Sequence, residues 1–357
     1  MNPRCQNAKL FLRGPVAHEN TCLLPLPSAF ALMRPEDKAK AKVEGKGKGM
    51  GASNMYTLRW GLIVALLWSP IIGAGTIQDR PSIRTNVDVV DVLCTVQDRR
   101  QRYINNLTRD DFEVYEDGVK QNIDFFHHEI GEKARPLSVL MLVDTSGSVK
   151  DKLHFEQKAA SEFLRQTLAQ NKDMAAIVQF DSEINLVQDF TFDIPLLEEA
   201  LQEIRAGGAT KLYDAVWVGV KDLLSEEVGR RVLVILSDGA DTQSTIEADD
   251  AIQAAQINDV VIYGIGVKSR RFDSNFGQLK KFSRATGGRF YNSKADLKRL
   301  RDAFSQISKE IKNQYSLGYV PSNKKRDGSF RSVEVRVKGR GLKLNHREGY
   351  YAPVSSS

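Results

Sequence analysis

Cysteine is scarce in this chain, with three in 357 residues, and two of those, Cys5 and Cys22, precede residue 75. Only Cys94 remains for the body of the protein, so no disulfide framework can form there, a result that neither requires nor excludes an oxidising compartment. A basic body is missing too. The formal charge is +6, but ten of the 51 Lys and Arg fall in the first 75 residues against four of the 45 Asp and Glu, and the remainder is neutral. Nucleic-acid binding therefore loses the basic face it would need. No long uninterrupted apolar run occurs: the stretch from Trp60 to Gly75 is broken by Ser69-Pro70 and falls short of the about 20 residues of a membrane span. Phosphate-cradling loops are lacking as well. No Gly-x-x-x-x-Gly-Lys-Ser/Thr is present, and Gly264-Ile-Gly266 lacks the third glycine of a dinucleotide fingerprint. Ser146 has no leading glycine of a nucleophile elbow, and His154 has no partner motif, so a serine hydrolase has no support.

Hydrophobic residues make up 41% of the chain, enough for packed cores, and the length leaves room for two domains. Residues 1–54 show no sustained period and end in a Lys/Gly-rich low-complexity run, Lys38 to Met50. They read as a disordered leader or a mis-assigned start. Residues 55–75 open on Arg59, continue through an apolar centre and close on Gly73-Ala74-Gly75, the layout of a signal peptide. An uncleaved amino-terminal anchor is the alternative, and either implies a secreted, periplasmic or cell-envelope protein.

Residues 80–133 alternate apolar and polar positions. Val90, Val92, Cys94 and Val96 share one strand face, and Phe112 and Val114 lead into an Asp117-Gly118 turn. Residues 314–353 alternate likewise through Tyr315, Leu317 and Tyr319, then Val333, Val335 and Val337. Each flank is too small for a stable sheet alone, so the two are expected to pair around the segment between them. In that segment, 135–313, strand and helix patterns succeed one another as in a doubly wound α/β sheet. Helical faces are expected through Phe155, Ala159 and Phe163 and through Leu297, Leu300, Phe304, Ile307 and Ile311. Ile184 follows the second strand after only Asp181-Ser182-Glu183, too short for a parallel crossover, which makes the third strand an antiparallel edge.

The apolar run from Leu137 to Val143 stops abruptly at Asp144-Thr145-Ser146-Gly147-Ser148. Such a run is a buried parallel strand, and ligands of open α/β sheets bind outside strand carboxyl ends. Asp144, Ser146 and Ser148 can turn three oxygens toward one point, a donor set suited to a hard cation such as Mg²⁺. A second apolar strand, Val232 to Leu236, ends in Ser237-Asp238-Gly239, and Gly207-Gly208-Ala209-Thr210 precedes the helix before it. In a sheet ordered 3-2-1-4-5-6 the strands ending at Asp144 and Asp238 are neighbours, and the Thr210 loop reaches the same crevice. If these acids and hydroxyls held no ion, they would serve as caps and turns.

At these residues the chain resembles the von Willebrand factor A domain, whose metal-ion-dependent adhesion site reads Asp-x-Ser-x-Ser, then Thr, then Asp before Gly. Asp144, Ser146, Ser148, Thr210 and Asp238 match all five positions, and the resemblance covers roughly Arg135 to Asn313. It implies a mostly parallel six-stranded sheet with helices on both faces, a Mg²⁺ or Mn²⁺ ion on those five residues, and a protein partner whose Asp or Glu completes the ion's shell, with no catalysis. The segments Leu107 to Gly118 and Leu317 to Pro321 are also similar to flanks of bacterial secreted proteins carrying such a domain. A metal-dependent hydrolase using the same ion on water is the alternative, and it would need a general base nearby.

Overall fold

The computed structural model describes residues 88–147, 149–150, 152–267, 276–293 and 296–354. The leader, the signal segment, the first residues of the 80–133 flank and Ser148 lie outside the described residues. Four strands come first: β1 (Val90–Gln97), β2 (Phe112–Glu116), β3 (Val119–Gln121) and β4 (Phe125–Glu129). Asp117 and Gly118, both at positive φ (47° and 80°), join β2 to β3 in a tight hairpin, a geometry that favours Asp-Gly.

The α/β part begins with β5 (Leu137–Asp144), buried at all eight positions. Its alternation sends Val139, Met141 and Val143 into one hydrophobic layer and Leu140 and Leu142 into the other. Helix α1 (Leu153–Thr167) leads to β6 (Met174–Phe180), which pairs parallel with β5, and β7 (Ile184–Thr191) returns antiparallel at the sheet edge. Next come α2 (Ile194–Glu203), α3 (Leu212–Val218), a π turn and a 3-10 turn through Glu226, β8 (Arg230–Ser237), α4 (Ala248–Ile257) and β9 (Val260–Gly266). Helix α5 (Gly277–Thr286), the short β10 (Phe290–Asn292) and α6 (Leu297–Ile311) complete the unit. The six strands lie in the order β10-β9-β8-β5-β6-β7, parallel except at β7, with helices on both faces, as the strand pattern and the resemblance both imply. β10, three residues long, carries too little periodicity to be found in the sequence.

On one face α1 packs against α6, with Phe163 and Phe304 stacked 4.8 Å between ring centroids. The expected α1 stripe needs one correction. Phe155 is 48% exposed, because the helix starts at Leu153 and turns Leu153, Glu156, Ala159, Ala160 and Phe163 inward instead. Gly264 and Gly266 let α5 and its neighbours close on β9: a Cβ on Gly266 would stand 2.7 Å from the Phe276 ring.

The chain ends in β11 (Gln314–Tyr319), β12 (Phe330–Val337), β13 (Lys343–His346) and β14 (Gly349–Tyr351). Two four-stranded sheets result, β13-β1-β11-β4 and β14-β12-β2-β3, each mixing strands from before and after the α/β part. β11 lies antiparallel between β1 and β4, with Val92 opposite Leu317. Val92, Cys94, Val114, Tyr315, Leu317 and Val335 form the core of these sheets, which neither flank could build alone. Buried Glu116 accepts hydrogen bonds from the hydroxyls of Tyr319 and Tyr350, each at 2.8 Å. Arg230, at the start of β8, donates to Ile311 O at 2.6 Å and stands 3.6 Å from buried Glu129 of β4, joining the accessory sheets to the α/β part.

Candidate metal centre

Parallel pairing of β5 with β8 sets Val143 opposite Leu236, which brings the next residues, Asp144 and Ser237, level at the carboxyl edge. There Ser237 Oγ donates to Asp144 Oδ2 at 2.6 Å and the Ser146 amide donates to Oδ1 at 2.9 Å. Asp144 is wholly buried, and burial raises its pKa to about 6. The hydrogen bonds from Ser237 and Ser146 work against that rise and the nearby Asp238 adds to it. A buried carboxylate destabilised by desolvation and by a second carboxylate is a site that favours a cation.

The Thr210 loop is laced to the same edge. Gly207 N donates to Thr145 O at 2.6 Å, and Gly147 N donates to Gly208 O at 3.2 Å. Gly208 is required twice over: its φ is +87°, and a Cβ there would stand 2.8 Å from Ser182 Oγ. From the other side, Thr210 N donates to Thr242 Oγ1 at 3.0 Å and Thr210 O accepts from the Thr242 amide at 2.9 Å. Asp241 accepts from the Leu212 amide at 2.8 Å, fixing the start of α3 to the loop after β8. Thr145 Oγ1 donates to Asp181 Oδ2 at 3.1 Å, which ties in the end of β6.

Asp144, Ser146, Thr210 and Asp238 thus stand on three neighbouring segments at one sheet edge, all buried. Their side chains, two carboxylates and two hydroxyls, are a donor set that suits a hard divalent ion. Ser148, the fifth residue expected there, lies outside the described residues. His154 is exposed on α1.

Two further residues belong to this environment. Ser237 orients Asp144, and its only signal in the sequence is its place just before Asp238. Glu156 is buried on α1 with no hydrogen bond to either carboxyl oxygen. Burial, then the charge of Asp144, raises its pKa to about 8, while Lys152 opposes the rise. Its three-residue spacing from Leu153 and from Ala159 placed it on the apolar stripe, a signal in the sequence that the choice of Phe155 concealed.

A family model matches this part of the chain. Residues 138–306 match the von Willebrand factor type A domain. An uncharacterised protein of Borreliella burgdorferi is 25% identical over 199 residues, which is 50% of this chain and 57% of that one, so the chain spans little more than half of that relative's length. Among solved structures, an aerotolerance-related membrane protein from Bacteroides fragilis aligns over 49% of this chain and 98% of its own, at 14% identity and a TM-score of 0.42. Proximal thread matrix protein 1 of the mussel byssus, with a zinc-occupied MIDAS motif, aligns over 52% of this chain and 48% of its own, at 13% identity and a TM-score of 0.44.

Proposed function

We propose that the von Willebrand factor type A domain at residues 138–306 serves this protein as a metal-dependent protein-binding module. Mg²⁺ or Mn²⁺ would be held by Asp144, Ser146, Ser148, Thr210 and Asp238, and the acceptor would be an Asp or Glu side chain of a partner protein. The observation that carries this reading is the buried Asp144 carboxylate beside Asp238, its pKa raised to about 6, at an edge otherwise lined by hydroxyls. When bound, the ion supplies Lewis acidity and a coordination position open to an incoming carboxylate. The chain's own part is to hold its oxygens in place beforehand. Ser237 and the Ser146 amide fix both oxygens of Asp144, and the Gly207–Thr145, Gly208–Gly147 and Thr210–Thr242 bonds hold the loops that carry the hydroxyls. Because three of the five donors are neutral hydroxyls, the two carboxylates balance the ion's charge without exceeding it, and a position held by water stays open for exchange with an incoming carboxylate.

A hydrolase would need a base exposed to substrate. Glu156, whose pKa burial raises to about 8 beside the site, is at 1% exposure closed to an incoming ester. Binding without catalysis is therefore the better reading. Export through residues 55–75 would place the partner in the cell envelope or outside it; no helix among the described residues is long and apolar enough to cross a membrane. The test is a pull-down from the native envelope. A partner retained with Mg²⁺, released by chelator and not captured by Asp144→Ala supports the module, and capture that persists in chelator refutes it.

A further inference from the structure

Away from the metal edge, a cavity of about 680 Å³ opens where the accessory strands meet the corner between α4 and β9. That volume is in the range of small-molecule sites. Its floor is cationic and almost sealed: Arg331 is 2% exposed and Arg347 7%. Both guanidinium groups keep an Nε–H that is buried without an acceptor. Other nitrogens of both groups have partners. Arg331 donates to Asn323 O at 2.7 Å, to Glu116 and to the Tyr350 hydroxyl, and Arg347 pairs with Asp259.

The wall above is the loop Asn323-Lys324-Lys325-Arg326, whose backbone is held by the floor, since Asn323 O and Lys325 O both accept from Arg331. In the sequence this basic run reads as a solvated loop face. In the fold it lines a half-open cleft. Charges around the cavity pair off as Arg326 with Asp88, Arg347 with Asp259 and Arg331 with Glu116. Lys324 and Lys325 are left over, exposed and with no ion pair among the described residues. Val90, Val320, Pro321 and Pro353 supply apolar wall. Positive excess at one end, unsatisfied buried donors beneath and apolar surface beside them form one chemical pattern.

We propose that this cavity is a second binding site, independent of the metal edge, for a small organic anion: a phosphate or carboxylate head drawn to Lys324, Lys325 and the Arg331–Arg347 floor, with an apolar body against the proline and valine wall. A buried donor without an acceptor is costly, and the oxygen of an anion is the partner that the two Nε–H groups lack. The head is fixed by charge and the body by contact area, so a ligand with both binds better than either part alone.

Titration calorimetry on the full chain tests this with three probes: phenyl phosphate, benzoate and neutral benzyl alcohol. Phenyl phosphate or benzoate should bind saturably and weaken with added salt, whichever binds tighter identifying the head group, while benzyl alcohol should not bind. The double variant Lys324→Ala/Lys325→Ala, which alters only exposed side chains, should keep its melting temperature and lose about tenfold in affinity, roughly 1.4 kcal/mol. Asp144→Ala should bind the anion as the parent does, separating this site from the metal edge. Absence of saturable binding by either anion at millimolar concentration, equal binding by the double variant, or loss of binding in Asp144→Ala would each overturn the proposal.

Discussion

Ser237 Oγ donates to Asp144 Oδ2 at 2.6 Å, so the last residue of β8 orients the last residue of β5 across the strand pair on which the crevice is built. The bond acts on a carboxylate that burial penalises, and it favours the ionised form a cation requires. Removing the hydroxyl should leave the fold unchanged, since Ser237 is small and β8 is secured along its length by β5 and β9. Ser237→Ala is expected to weaken Mg²⁺ binding by about tenfold or more, as loss of an orienting partner behind a metal ligand commonly does. Calorimetric titration of the variant against the parent measures this, and equal affinities would show that Ser237 does not position the ligand.

The ion should also register in stability. If it binds only the folded form, a hundredfold excess over Kd contributes about 2.7 kcal/mol, and the melting temperature should climb with Mg²⁺ or Mn²⁺. Asp144→Ala and Asp238→Ala should each abolish the climb while retaining the circular dichroism of the parent. A melting temperature flat up to millimolar ion in the parent would remove the basis for a metal-dependent module.

Most of this edge could be read from the chain because the residues that make it are local punctuation: an apolar strand that ends in an acid, and glycines before a hydroxyl. The antiparallel edge strand followed from loop length at Asp181–Glu183 and the α/β class from alternation of strands with helices, whereas the order of the strands is set by the sheet itself. What could not be read are the relations that depend on tertiary register. Ser237 meets Asp144 only because β5 and β8 pair with Val143 opposite Leu236, and no spacing within one segment encodes that. Phe155 misled because an aromatic residue near a helix start looks like core, whereas the helix phase turned the acidic Glu156 inward.

Glu156 gives a prediction about pH. Its folded pKa of about 8 exceeds the ordinary value of 4.5, so its contribution is fully present below about pH 4.5 and is lost as pH rises through about 8. In chelator, the protein should therefore lose stability across that window, with Asp144 acting in the same sense up to about pH 6. Glu156→Met keeps the volume and removes the buried acid. It should raise stability at pH 8 by ~2 kcal/mol, with a gain that shrinks toward pH 4.5. Denaturant unfolding at several pH values checks this, and a variant less stable than the parent at pH 8 would mean that the carboxyl has a partner that matters.

The accessory sheets give the last prediction. β11 lies between β1 and β4, and β12 lies between β2 and β14, so a chain ended after Asn313 loses an inner strand from both sheets at once. It also loses Tyr315, Leu317, Tyr319, Val333 and Val335 from the shared core. The strands left behind, β1 to β4, would have only the β2–β3 hairpin as paired structure, which is marginal in water. Glu116 would lose both tyrosine hydroxyls and Arg331, leaving a carboxylate that cannot stay buried. Limited proteolysis of the shortened chain should cut within residues 90–129, where the full chain resists, while the α/β sheet, whose six strands all precede residue 313, remains protected. If residues 90–129 stayed protected without the carboxyl-terminal strands, the two flanks would not depend on each other for their fold.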